Sequence, residues 1–267
     1  MTPERTLVMG ILNVTPDSFA DGGRHFSFAA ALNRAKEMIV EGVDIIDVGG
    51  ESTRPGAQRV SEEEERDRVV PIITELIELG ATVSIDTMRA SIAAAAIAAG
   101  ATYVNDVSGG LAEKEMAALI ANNPKIQYIA MHWRGHSKDM QSKAEYKNVV
   151  SEVKDELEER AEALIKAGVS ADQIILDPGI GFAKSTEHCW EILRNIERFQ
   201  LLGFPLLVGA SRKRFLGELL ENADPDDRDF ATVAITTEMA RLGIWGVRTH
   251  SVRPHRDAIA VVQELAG

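Results

Sequence analysis

Short apolar runs alternate with amphipathic helical stretches along the whole chain, and the runs end on polar or glycine residues. Leu7–Leu12 stops at Asn13, and Val43–Val48, with Asp47 inside it, stops at Gly49-Gly50. Ala81–Ile85 stops at Asp86-Thr87, and Ala101–Val104 at Asn105-Asp106. Ile126–Ala130 stops at Met131-His132, Ile174–Leu176 at Asp177-Pro178-Gly179, Leu206–Val208 at Gly209-Ala210-Ser211, and Ile244–Val247 at Arg248-Thr249-His250. Runs this short and this apolar read as strands buried on both faces. Between them the period changes to that of a helix. Helices are predicted near Ala29–Glu41, from Ser61 onward, and near Arg89–Ala99, Glu113–Asn122, Ala144–Ala167, Thr186–Phe199, Asp229–Leu242 and His255–Ala266, with a short extra one over Arg212–Leu219. Ser61 followed by Glu62–Glu65 makes a good cap with favourable charge in the first turn. Val149, Val153, Leu157, Ala161 and Leu164 form one buried stripe on the longest helix.

Eight strand–helix units in about 250 residues match a closed parallel (β/α)₈ TIM barrel. Strict alternation calls for parallel strands joined by right-handed crossovers. The fold class is therefore α/β, with residues 1–267 as a single barrel domain and the site at the C-terminal ends of the strands. A doubly wound open sheet is the alternative, but it rarely needs eight such even units. No Gly-x-Gly-x-x-Gly follows the first strand, which counts against a dinucleotide site.

Composition narrows the function. The 267 residues are 45% hydrophobic and 26% charged, as in an ordinary globular protein. A net charge of −12 without any basic tract argues against a nucleic-acid surface. No apolar run approaches the ~20 residues that span a bilayer, and Met1–Arg5 leads into the first run without a cleavage pattern, so neither membrane anchoring nor export is expected. The single cysteine, Cys189, reads as packing and fits a reducing compartment, so the expected location is cytoplasmic.

In such a barrel the strand ends face the site. Those ends are Asn13, Asp47, Asp86, Asn105, Met131, Asp177, Lys213 just beyond its strand, and Arg248 with His250. Any one of these could be a loop cap, but so many polar residues at one topological position make a binding ring. Carboxylates and amides over an apolar floor suit a flat, donor-rich heterocycle, whose amidine edge pairs with a carboxylate through two parallel hydrogen bonds. The Gly-Ala-Ser turn before Arg212-Lys213-Arg214, the loop at Thr53-Arg54, and Asn13, Arg248 and His250 offer donors and charge for a phosphate or diphosphate. The three cations read equally well as the basic first turn of a helix. A diphosphate would normally bring Mg²⁺, held mainly by its own oxygens.

The motifs that carry this chemistry resemble those of dihydropteroate synthase over nearly the whole chain. They are Met9-Gly-Ile-Leu-Asn-Val-Thr-Pro-Asp-Ser-Phe19 with Asp21-Gly-Gly23, Asp47-Val-Gly-Gly-Glu-Ser-Thr-Arg-Pro-Gly56, Ser84-Ile-Asp-Thr87, Val104-Asn-Asp-Val-Ser-Gly109, Asp177-Pro-Gly-Ile-Gly-Phe182 and Gly209-Ala-Ser-Arg-Lys-Arg-Phe-Leu-Gly217. The resemblance implies a barrel enzyme of folate biosynthesis. It would condense 6-hydroxymethyl-7,8-dihydropterin diphosphate with 4-aminobenzoate to give 7,8-dihydropteroate and diphosphate, by an SN1-like course.

Carried over by motif, Lys213, Asp86, Asp177 and Asp21 would be catalytic. Asp86, Asn105, Asp177, Lys213, Met131, Gly209 and Arg248 would hold the pterin, with Asp177 on the amidine edge and Arg248 packed over the ring. Asn13, Arg248, His250, Thr53 and Arg54 would bind the diphosphate, with Asn13 the one protein ligand of Mg²⁺. Phe19, Thr53, Pro55, Phe182 and Ser211 would form the aminobenzoate pocket, where sulfonamides compete in this family. Loops Asn13–Gly23 and Ser52–Gly56 would close over the site. The resemblance also implies a homodimer, with small molecules as the other partners and neither nucleic acid nor membrane. One residue departs from the pattern: Ser251 stands after the Arg-x-His of the last strand, where an acidic or amide residue is usual, which puts the support of His250 in question. The competing readings are a methyltetrahydrofolate:corrinoid methyltransferase-type barrel, which shares the Asp/Asn floor, and a non-catalytic pterin-binding paralogue.

Overall fold

A computed structural model describes residues 3–14, 23–51, 59–136, 140–221 and 223–267. The expected site residues Phe19, Asp21, Thr53, Arg54 and Pro55 lie outside the described residues, as does most of the two loops that carry them.

The chain runs β1 (Leu7–Asn13), α1 (Gly23–Val40), β2 (Ile45–Gly49), α2 (Glu62–Glu78), β3 (Val83–Asp86), α3 (Ala90–Ala98), β4 (Tyr103–Asp106), α4 (Glu115–Ala121), β5 (Gln127–Met131), α5 (Val149–Lys166), β6 (Ile174–Asp177), α6 (Thr186–Arg194), α7 (Glu197–Gln200), β7 (Leu207–Val208), α8 (Arg214–Leu219), α9 (Asp229–Arg241), β8 (Gly246–Thr249) and α10 (Arg253–Ala266). The strands lie in the order β6-β5-β4-β3-β2-β1-β8-β7, and every pair is parallel. A parallel bridge between Leu176 and Leu206, with Leu176 N donating to Pro205 O at 2.9 Å, joins β6 back to β7. This is the eight-stranded parallel barrel that the apolar runs predict.

Side-chain alternation builds the site above a small apolar cluster inside the barrel. Met9, Ile45, Ile129, Ile175, Leu207 and Trp245 pack together as one buried cluster, separate from the larger cluster that joins strands to helices. Successive strand residues point to opposite faces. The residues two further along five of these strands therefore stand one layer higher on the same inner face: Ile11, Asp47, Met131, Asp177 and Gly209. Register pairs Ile11 with Asp47 and Met131 with Asp177 in this layer, and sets Asn13, Gly49, Asp86 and Asn105 side by side in a second row.

α1 begins at Gly23, earlier than the expected start near Ala29, and three other boundaries differ from expectation for a local reason. α5 starts at Val149 rather than near Ala144, because the Asn148 side chain accepts from Ser151 N at 2.9 Å and caps the helix there. The predicted helix over Thr186–Phe199 splits into α6 and α7, since Asn195 leaves helical geometry and its amide donates to Glu191 O at 2.8 Å. β8 lies two residues later than the apolar run. Gly243 takes a positive φ of 67° and Ile244 N bonds back to Met239 O, so Ile244 completes the end of α9 and Arg248 falls inside the strand.

Candidate active site

Asp47 is the hub of the floor, and it has no role in the sequence reading beyond its place at a strand end. It is fully buried, and its Oδ2 accepts from Asn105 Nδ2 at 2.9 Å and from Arg248 Nε at 2.6 Å. Arg248 Nη2 also donates to Asp86 Oδ2 at 2.7 Å. The guanidinium therefore lies down across two carboxylates. Asn105 turns its amide toward Asp47, while Asp47 Oδ1 is buried with no partner among the described residues. Burial pushes the Asp86 carboxyl up to about 7, with Arg248 opposing and the neighbouring Asp47 reinforcing the shift. Near neutral pH this acid is divided between a form that accepts hydrogen bonds and a form that donates one.

Across the barrel, Asp177 and Lys213 converge on a bare backbone. A methyl group at Gly209 would stand 3.8 Å from Arg248 Cβ, 3.9 Å from Lys213 Nζ and 4.0 Å from Asp177 Oδ2. Glycine here keeps open a flat slot between a carboxylate, an ammonium and a guanidinium stem. Asp177 Oδ1 accepts from Gly179 N at 2.7 Å, which fixes the carboxylate plane. Lys213 caps α8, its Nζ donates to Ile180 O, and it lies 4.6 Å from the centre of the Phe182 ring. Burial pushes its ammonium down to about 8, with Asp177 opposing the shift. Burial likewise raises the Asp177 carboxyl, and Lys213 opposes that rise. Met131, buried and opposite Asp177, walls the slot with Met88 and Val107.

The remaining rim is built from the β7 and β8 ends. Arg212 adopts a positive φ of 58°, and its guanidinium is held by Asp229 at 2.8 and 2.9 Å and by Asp226. That kink turns Lys213 back toward the slot. Ser211 is buried, and its hydroxyl meets His250 Nδ1 at 2.9 Å and accepts from His250 N at 3.2 Å. Asn13 Oδ1 lies 3.5 Å from the Cβ position of Gly49, beside Asp86. The ring thus unites Asn13, Asp47, Asp86, Asn105 and Arg248 on one side and Met131, Asp177, Gly209, Lys213 and Phe182 on the other, with Ser211 and His250 paired at the rim.

Two networks around the site have no counterpart in the sequence reading. Lys184, 2% exposed, donates to His132 Nδ1 at 2.9 Å and to Phe182 O at 3.0 Å. His132 Nε2 meets Glu156 at 2.9 Å, and Arg134 also pairs with Glu156. Burial pushes Lys184 down to about 7 and His132 down to about 4. The neutral imidazole therefore accepts at Nδ1 and donates from Nε2. On the opposite flank Glu65, 1% exposed, accepts from Thr87 Oγ1 at 2.6 Å and pairs with Arg89. Arg89 also reaches Glu51 Oε2 at 3.1 Å and Val60 O at 2.6 Å, the two sides of the second loop. The only sequence signals are a Glu inside a charged first turn and a Lys after a glycine motif, and neither points to a buried network.

A closed barrel with this floor belongs to a recognisable class: residues 9–250 match the family described as pterin binding enzyme. A dihydropteroate synthase of Mycobacterium leprae is 46% identical over 261 residues, covering 96% of this chain and 92% of the relative. The solved structure of Xanthomonas albilineans dihydropteroate synthase with 4-aminobenzoic acid superposes with a TM-score of 0.93 at 39% identity, covering 99% of this chain and 94% of that one. The complex of the Xanthomonas albilineans enzyme with 7,8-dihydropteroate gives a TM-score of 0.89 at 35% identity, covering 100% and 96%. The chain belongs to the dihydropteroate synthase family.

Proposed function

We propose that the chain condenses 6-hydroxymethyl-7,8-dihydropterin diphosphate with 4-aminobenzoate, giving 7,8-dihydropteroate and diphosphate. Relatives of this name match almost end to end. The observation in this chain that carries the reading is the convergence of Asp177 Oδ2 and Lys213 Nζ on the bare Gly209. A pterin edge-on in that slot gives its amidine N–H groups to Asp177 and accepts from Lys213 at its carbonyl and ring nitrogen. Asp86 and Asn105 take the far edge. Arg248 leaves its carboxylate contacts to lie over the ring, and the unpartnered Asp47 Oδ1 is available as a further acceptor.

The reaction breaks the C–O bond between the pterin methylene and diphosphate and forms a C–N bond to the aryl amine, which then loses a proton. Diphosphate departs with the bond electrons, and the electron-rich pterin, with Asp86 beneath it and Asp21 from the first loop, stabilises the methylene cation. A weakly basic amine captures it without a strong general base. Thr53, Arg54, Asn13 and His250 receive the diphosphate, while Phe19, Pro55, Thr53, Phe182 and Ser211 place the aminobenzoate.

Among the described residues no three His, Cys, Asp or Glu side chains converge as a metal cage. A lone amide oxygen at Asn13 fits Mg²⁺, which takes few protein ligands when substrate phosphates supply the rest. Bound there, Mg²⁺ would neutralise charge on the leaving diphosphate. We also place the enzyme in the cytoplasm, where the single buried thiol of Cys189 suits a reducing milieu. As a homodimer it would use the paired helices α9 and α10, whose Phe230, Val261 and Leu265 are 89%, 57% and 82% exposed; sedimentation at micromolar concentration tests this.

The deciding experiment is diphosphate release from purified protein with Mg²⁺, dihydropterin diphosphate and 4-aminobenzoate, each omitted in turn. Release that depends on aminobenzoate, with dihydropteroate formed in equal amount, supports the reading. Pterin binding without aminobenzoate-dependent product would overturn it.

A further inference from the structure

A chain of hydrogen bonds runs from the helical shell to the anion side of the site. Thr236 Oγ1 on α9 lies 2.8 Å from His255 Nδ1 on α10, and His255 Nε2 lies 2.8 Å from Thr249 Oγ1 on β8. Thr249 Oγ1 in turn lies 3.2 Å from Ser251 O and 3.4 Å from Ser211 Oγ. Ser211 Oγ lies 2.9 Å from His250 Nδ1 and 3.2 Å from His250 N. His255, Thr249 and Thr236 are all buried. Nothing in the proposed reaction uses His255, Thr249 or Thr236.

Proton counting gives the chain a direction. Ser251 O can only accept, and the Thr249 hydroxyl donates to it and to Ser211 Oγ as a shared bond, so it has no proton for His255. His255 Nε2 must then donate to Thr249, which leaves Nδ1 to accept from Thr236. Burial pushes the His255 imidazole down to about 4, consistent with a neutral ring that has one donor and one acceptor. Ser211 Oγ accepts from the His250 backbone N–H and from the Thr249 hydroxyl. Its own proton goes to His250 Nδ1, so the ring proton of His250 sits on Nε2.

We propose that His255 is a positioning residue: acting through Thr249 and Ser211, it holds His250 as the Nε2–H tautomer, the form that donates to an oxygen of the leaving diphosphate. The inference rests on the reading above that His250 meets that diphosphate. It also accounts for Ser251. With no acidic or amide side chain after the Arg-x-His pair, the imidazole is oriented from the β7 turn instead. Among the described residues, the charged groups around the relay include Asp229, which acts on both His250 and His255, Arg212, which holds Asp229, and Arg34, whose Nη2 donates to His250 O at 3.3 Å. None of these takes the place of Ser211 at Nδ1.

The test is nitrogen NMR of protein labelled at its histidine rings, without substrate, at a pH of about 8.5 where an ordinary imidazole is neutral. His250→Gln assigns the signal. The wild type is expected to show His250 as Nε2–H. Thr249→Val, which keeps the side-chain shape and removes the hydroxyl, and His255→Leu are expected to give a mixture. His255→Gln, which keeps one donor and one acceptor, is expected to restore the single form. Binding of inorganic diphosphate with Mg²⁺, measured by calorimetry, should weaken about twofold if the competent tautomer falls to half and about tenfold if it falls to a tenth. An Nδ1–H ring in the wild type, or an unchanged His250 spectrum in Thr249→Val, would overturn the relay; Thr249→Val carries this test even where His255→Leu fails to fold. A tautomer that shifts while diphosphate affinity stays constant would overturn the placement of His250 on the anion and not the relay.

Discussion

Arg248 Nη2 donates to Asp86 Oδ2 at 2.7 Å, so the cation at one end of the site holds down the carboxylate of its floor. The pairing is incomplete compensation, because Asp47 competes for the same guanidinium and burial still lifts Asp86 to about 7. In the proposed binding mode, a pterin that enters the slot draws the arginine away and supplies hydrogen bonds to Asp86 in exchange. Binding is thus a swap of partners on a buried acid, and it depends on the charge of that acid.

The first prediction concerns that charge. The unfolded chain releases the Asp86 proton at the ordinary carboxylate pKa of about 4, whereas the native state keeps it up to about 7. Across that window the native state binds more protons, so the contribution of this group to stability falls as pH rises. Urea titrations of wild type and Asp86→Asn should show the wild type losing ground relative to the variant between pH values of about 4 and 7. A constant gap would show that Asp86 titrates normally.

Removing Arg248 leaves two buried carboxylates uncompensated. Arg248→Met is expected to destabilise the fold by about 3 kcal/mol, because breaking a buried pair strands the partner charge. Asp86→Asn in the same chain removes part of that strain. The double variant should therefore lie above the sum of the singles by about 1–3 kcal/mol, read from urea midpoints. Strict additivity would mean that the guanidinium is held by Asp47 alone.

Why the ring was legible and its wiring was not follows from particular residues. A buried parallel strand shows itself as an apolar run, and its C-terminal end as the polar residue that stops it, so Asp86, Asn105 and Asp177 stand at the strand ends that the local pattern predicts. Asp106 also ends a run, yet alternation turns it outward, where it accepts from Ser108 N at 2.8 Å, Gly110 N at 2.9 Å and Tyr128 Oη at 2.8 Å. It serves the turn and not the site. The bond from Arg248 to Asp47 joins residues 201 positions apart, and no local pattern records it. Nothing local marks Lys184 as buried, because its partner His132 lies 52 positions away.

Lys184 supplies a prediction of opposite sign. Its folded pKa of about 7 lies below that of an ordinary lysine, because burial penalises the ammonium. Above about 7 the unfolded chain binds the proton that the native state has shed, so stability from this site rises with pH up to the ordinary lysine pKa of about 10.4. Lys184→Met abolishes this dependence. Calorimetry at pH values of about 7 and 9 should show wild type gaining on the variant; parallel shifts would mean that Lys184 is charged in its pocket.

Gly209→Ala separates the slot from the scaffold. The added methyl would make only ordinary contacts, at 3.8 Å or more from Arg248 Cβ, Lys213 Nζ and Asp177 Oδ2, and no positive φ forbids alanine there. Stability should therefore change by no more than about 0.5 kcal/mol. The same methyl stands where a planar ring must lie flat against the backbone, and overpacking a well-filled site costs about 1–3 kcal/mol. Pterin affinity is thus expected to fall by about tenfold to a hundredfold, while the melting temperature stays near that of the wild type. Equal binding by Gly209→Ala would mean that the ring sits away from β7, and would take Asp177 and Lys213 out of the pterin site together, because both reach it across this residue.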